Sequence, residues 1–162
     1  MELNAQIQGL LEHFGRTLGL EGLTFDEEGL IELRIGDKLS VTLGVEPHQQ
    51  TLILSAEVLP ETETLGPTLL RRVLITNARL ATENGPSFAI APEIGSLLLQ
   101  QRIPLAGLDY PGFEQLWLAF LETHEIAVSK LEELAPTQEV ANRQPAGAEV
   151  SPDDHTGHFL RV

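Results

Sequence analysis

The spacing of apolar residues changes from about 3.6 to 2 and back again along this chain, and that change limits the folds open to it more than any other feature. Leu3, Ile7, Leu10, Leu11, Phe14 and Leu18 fall within one arc of about 100° on a helical projection, the mark of an amphipathic helix. Gly19 follows as a stop. From residue 31 the period is two. Ile31, Leu33 and Ile35 alternate with Glu32 and Arg34; Leu39, Val41, Leu43 and Val45 alternate with Ser40, Thr42, Gly44 and Glu46; Leu52, Leu54, Ala56 and Val58 alternate with Ile53, Ser55 and Glu57. Each run reads as a strand with one buried face. The breaks at Gly36-Asp37 and at Pro47-His48-Gln49-Gln50 are hairpin-sized, so the three strands should form an antiparallel meander, not parallel βαβ units.

The helical period then returns from about Pro67 to Thr82. Leu69, Leu70, Val73, Leu74, Asn77, Leu80 and Ala81 spread over an arc of about 140°, broader than packing on one sheet requires. Ile75 falls outside even that arc, and Arg71, Arg72 and Arg79 take the remaining side. Asn84-Gly85-Pro86 ends this helix and opens a second hairpin, Ser87 to Ala91 and Ser96 to Ile103, across Pro92-Glu93-Ile94-Gly95. A third helix should begin after Asp109, with Pro111 in its first turn, and stop before Pro136. Phe113, Leu116, Trp117, Phe120, Leu121, Ala127, Val128, Leu131 and Leu134 share its apolar face. The expectation is an α+β domain over residues 1–135, order α-β-β-β-α-β-β-α, with helices packed on an antiparallel twisted sheet of about five strands. Residues 136–162 hold three prolines, two glycines and no period, and are expected to be a disordered tail.

Charge narrows the function classes. The 162 residues carry a formal net charge of −14, which disfavours nucleic acid, whose binding needs a basic patch, and any anionic membrane surface. The charge serves either plain solubility or the dispersal of a protein that displays apolar surface to catch a partner. The chain has no cysteine, so disulfides and thiolate sites are absent. The first residues, MELNAQIQGLLEHF, lack a basic region before an apolar run. No stretch reaches the roughly 20 apolar residues of a membrane span. A cytoplasmic protein is expected.

Chemistry has little to stand on. His13, His48, His124, His155 and His158 do not converge with a third ligand from the predicted elements, and His124 sits on the apolar face of the third helix. Asp26-Glu27-Glu28 lacks the alternating ligands of a calcium loop. No nucleophile elbow and no phosphate-cradling glycine loop occurs. No cofactor, metal or catalytic residue is expected, and the reading is a non-enzymatic binding protein.

One block is more specific: Leu10-Leu11-x-x-Phe14, then Leu18-Gly19-Leu20, then Leu23-Thr24-Phe25-Asp26-Glu27-Glu28-Gly29. Together with Asn77, Ile103-Pro104-Leu105, Leu108-Asp109 and the Phe113, Leu116, Phe120, Leu131 pattern, it resembles the class I type III secretion chaperones, the Tir chaperone family. The resemblance spans about residues 3 to 134. It implies a homodimer that binds the N-terminal chaperone-binding segment of a secreted effector in extended form, keeping it soluble and secretion-competent. Some similar members also regulate secretion by sequestering a protein partner. For the dimer interface, the wide apolar arc and the family's habit of pairing there select Leu70, Val73, Leu74, Asn77, Phe88 and Ile90. For the partner segment, Leu10, Leu11, Phe14, Ile31, Leu33, Val41 and Leu43 are the candidates. The competing assignment for both sets is the intrachain core. Competing functions are a regulatory binding module of the same architecture without effector cargo, an assembly factor of the secretion apparatus, and a small hydrolase or transferase with an unfamiliar site.

Overall fold

The computed structural model describes residues 2–20, 22–37, 39–60 and 65–142. Helix α1 (Glu2–Leu18) is followed by strands β1 (Leu30–Ile35), β2 (Leu39–Glu46) and β3 (Thr51–Leu59), helix α2 (Pro67–Thr82), strands β4 (Ser87–Ala91) and β5 (Ser96–Pro104), and helix α3 (Tyr110–Asn142). The five strands form one sheet in the order β1-β2-β3-β5-β4, each neighbouring pair antiparallel. The α+β class and element order match the sequence reading.

Local chemistry sets these boundaries. α1 ends in a Schellman motif: the Leu20 amide donates to the Gly15 carbonyl at 2.8 Å and the Gly19 amide to the Arg16 carbonyl at 3.3 Å, with Gly19 at φ 69°. The next turn is held by Asp26, whose Oδ1 accepts the amides of Glu28 at 2.9 Å and Leu30 at 2.8 Å, an Asx-type arrangement that starts β1. The Leu-Gly-Leu and Phe-Asp-Glu-x-Gly signatures are therefore a helix stop and a strand start.

Period-2 alternation fixes one inward sheet face. Ile31, Leu33, Val41, Leu43, Leu52, Leu54, Ala56, Val58, Leu97, Leu99 and Ile103 are all buried. The register places Ile31 beside Leu43, Leu43 beside Leu54 and Leu52 beside Ile103, so the face is continuous across four strands. α1 and α3 cover it. Phe14 meets Phe113 edge-on at 5.0 Å and Trp117 at 4.9 Å between ring centroids, a favoured aromatic geometry. Gln6 donates to the carbonyls of Leu105 and Leu108, and His13 stacks on Tyr110 at 3.7 Å.

One boundary differs from expectation. α3 does not stop before Pro136 but continues to Asn142. A proline removes one donor and crowds the carbonyl four residues earlier, which bends a helix without obliging it to end, and Gln138-Glu139-Val140-Ala141 is compatible with further turns. Residues 143–162 of the expected tail lie outside the described residues.

Candidate protein-binding surfaces

α2 lies against the outer edge of β4. Asn77 joins them: its Oδ1 accepts the Phe88 amide at 2.7 Å, and its Nδ2 donates to the Phe88 carbonyl at 3.0 Å. The outward backbone of this edge strand is thereby partly closed. Of the six residues chosen for pairing, Val73 is buried, Leu70, Asn77 and Phe88 are half-buried, and Leu74 and Ile90 are 67% and 50% exposed. Ile75, which falls outside the helical arc, is 61% exposed. An isolated exposed leucine needs no explanation, but three large apolar side chains on one helix and its adjoining strand form a candidate contact surface.

The seven residues chosen for the partner segment require correction. Leu10, Leu11, Phe14, Ile31, Leu33, Val41 and Leu43 are all buried within the subunit's own core. The physical reason is mutual cover: the apolar stripe of α1 and the apolar face of the sheet each hide the other from water. What remains near them is a groove of about 390 Å³ between α1 and the β2 end of the sheet, where Ile7, Leu11, Leu23, Phe25, Val45 and Pro47 line its walls. Leu11 is the one member of the seven that reaches it.

β1 is the other edge of the sheet, and among the described residues only β2 pairs with it. Past Leu30, whose amide and carbonyl are held by Asp26, its outer backbone groups form a row able to receive an added strand. Leu30 and Ile35, at its ends, are 37% and 36% exposed. The sheet face turned away from α1 and α3 carries a shallow depression of about 410 Å³ where Leu30, Thr42, Ile53, Ser55, Ile94 and Leu98 meet. Sequence reasoning missed Ile53, Leu98 and Ile75 as surface features. The signal was present, since each is an apolar residue in the polar phase of its element.

Polar side chains beside these surfaces tie the elements together. His124 is buried, with Nε2 2.6 Å from the Glu57 carbonyl, so it ties α3 to β3. Glu57 also accepts from the Ser96 hydroxyl at 2.5 Å. Arg102 is salt-bridged to Glu46 and donates to Gln49 at 2.9 Å. Among the described residues no group of three or more His, Asp or Glu is placed to hold a metal ion, and no helix is long and apolar enough to cross a membrane.

Comparison with known proteins agrees with this architecture. Residues 9–127 match the model of the Tir chaperone protein (CesT) family. The chaperone protein YscB of Yersinia enterocolitica is 32% identical over 123 residues, covering 72% of this chain and 87% of YscB. The transcriptional anti-antiactivator ExsC of Pseudomonas aeruginosa is 31% identical over 77 residues, covering 48% of this chain and 52% of ExsC. Among solved structures, a chain of the ExsC–ExsE complex superposes with a TM-score of 0.71 at 26% identity, covering 80% of this chain and 96% of that one. A chain of the HopA1–SchA chaperone–effector complex gives 0.69 at 21% identity, covering 80% and 98%. With well over half its length matched by the family model and the same five-stranded fold, this chain belongs to the Tir chaperone protein (CesT) family.

Proposed function

We propose that this protein is a type III secretion chaperone that, as a cytoplasmic homodimer, holds the N-terminal segment of a secreted effector extended and soluble, with no catalytic step. Family membership supports the chaperone activity, and the open β1 edge beside the α1 groove is the observation that carries the binding mode. An extended segment added to β1 gains backbone hydrogen bonds regardless of its sequence, while Leu23, Phe25 and Val45 in the groove receive its apolar side chains and supply selectivity. Ordering such a segment costs roughly 2–5 kcal/mol. Burial of about 200 Å² of apolar surface offsets the upper figure, an area within reach of a few side chains.

Pairing through Leu74 and Ile90 covers the exposed apolar surface they form on α2 and β4, and the net charge of −14 keeps unfilled chaperone dispersed. A second role, regulation through sequestration of a protein partner, draws on the likeness to the anti-antiactivator ExsC and would use the same surfaces. Co-expression with a type III effector encoded nearby tests the main reading. Stable co-purification dependent on the effector's N-terminal segment is expected, and co-purification that persists after that segment is deleted contradicts it.

A further inference from the structure

A groove between α2 and α3 combines apolar walls with a cationic rim. Its walls are apolar, built from Leu69, Val73, Leu80, Phe88, Ile126 and Leu131, and it holds about 300 Å³. Its remaining lining includes Arg72, Arg79 and Lys130 and no carboxylate, although the chain has 24 acidic residues against 10 lysines and arginines. All three cations are exposed, and among the described residues none of them is in an ion pair. Leu74 and Ile90, the exposed members of the pairing set, do not line this groove, whereas Val73, Phe88 and the exposed Ile75 do.

We infer that the α2–α3 groove is a docking site for an acidic amphipathic segment of a second protein, distinct from the β1 edge. Charge complementarity selects that occupant. The long arms of Arg72, Arg79 and Lys130 can lie along the apolar walls while their heads meet carboxylates, and Ile126, Leu131 and Leu80 take the apolar face of the segment. Elsewhere the surface of so acidic a chain repels such a segment, so the local cations decide where it binds.

The overall charge makes the test sharp. Bulk electrostatics would favour a basic peptide, and only a local site can reverse that preference. The probe is a fluorescein-labelled synthetic peptide of glutamate, leucine and alanine patterned as an amphipathic helix, set against a counterpart with lysine at every glutamate, with full-length protein and anisotropy as readout. The acidic peptide should bind saturably and at least about tenfold more tightly than the lysine counterpart, and weaken as salt rises from about 0.05 to about 0.5 M. Arg72→Glu combined with Arg79→Glu, both exposed and checked for an unchanged circular dichroism spectrum, should abolish the preference, while Arg16→Glu, exposed on α1, should not. Equal binding of the two peptides, or binding indifferent to the α2 double variant, overturns the inference. So does acidic-peptide binding that appears only after residues 143–162 are removed, which would make the chain's own terminus the occupant. A double variant that shifts the protein from dimer to monomer would equally overturn it, by assigning the groove to a second copy.

Discussion

Asn77 holds both backbone groups of Phe88, accepting its amide at 2.7 Å and donating to its carbonyl at 3.0 Å. One side-chain amide thus mimics a neighbouring strand and fastens α2 to the edge of the sheet. Leu74 and Ile75, exposed on that helix, are held in place by this bond pair.

Removal of the amide should therefore loosen the whole α2–β4 unit. Asn77→Ala leaves two partly buried backbone groups without partners, at a cost of about 1–3 kcal/mol. A lower urea midpoint with an unchanged slope is expected, together with faster hydrogen exchange confined to β4 and α2. Uniformly faster exchange across the sheet would point instead to a global role.

Leu74 and Val73 are neighbours with opposite exposure, 67% and 9%, and they separate pairing from folding. Leu74→Asp should give a folded monomer, because the side chain faces outward and exposed substitutions cost about 0.5 kcal/mol or less. Val73→Asp buries a carboxylate among apolar groups and should prevent folding. Sedimentation equilibrium with circular dichroism reads both. A stable Leu74→Asp dimer removes α2 from the pairing surface.

Phe14 sits between Phe113 and Trp117 in the interior, whereas Phe25 is half-buried at the α1 groove. Phe14→Ala should lose about 3–5 kcal/mol of stability. Phe25→Ala should lose far less stability while weakening capture of a partner segment. Thermal melts paired with binding measurements distinguish the two, and equal stability losses would contradict the division of core from groove.

The Schellman stop of α1 depends on Gly15. A Cβ there would come within 2.5 Å of the Leu20 carbonyl oxygen, while one at Gly9 meets nothing within 4 Å. Gly15→Ala should therefore destabilise by about 1–3 kcal/mol, and Gly9→Ala should stabilise by roughly 0.5–1 kcal/mol through its helical preference. Chemical denaturation of the pair checks the sign of each.

The order of elements was legible because each period maps directly onto one kind of backbone: Ile31 to Val58 alternate, and Leu3 to Leu18 do not. Which apolar residues stay outside was far less legible. Leu33 and Val41 carry the same pattern whether a helix of the same chain or a guest covers them, and only the tertiary fold shows α1 and α3 already doing so. The informative residues were those out of phase, such as Ile75 and Ile53, whose position contradicts their element's amphipathicity. The run past Pro136 was illegible for another reason: a proline specifies a lost hydrogen bond, and its neighbours decide whether the helix resumes.

Hydrogen exchange of the chaperone with and without the N-terminal segment of its effector tests the central claim most directly. Strand addition beside the α1 groove predicts slowed exchange concentrated in β1, Leu30 to Ile35, and in the loop around Leu23 and Phe25. A bound segment that leaves β1 unprotected, with slowing confined to other surfaces, would contradict it.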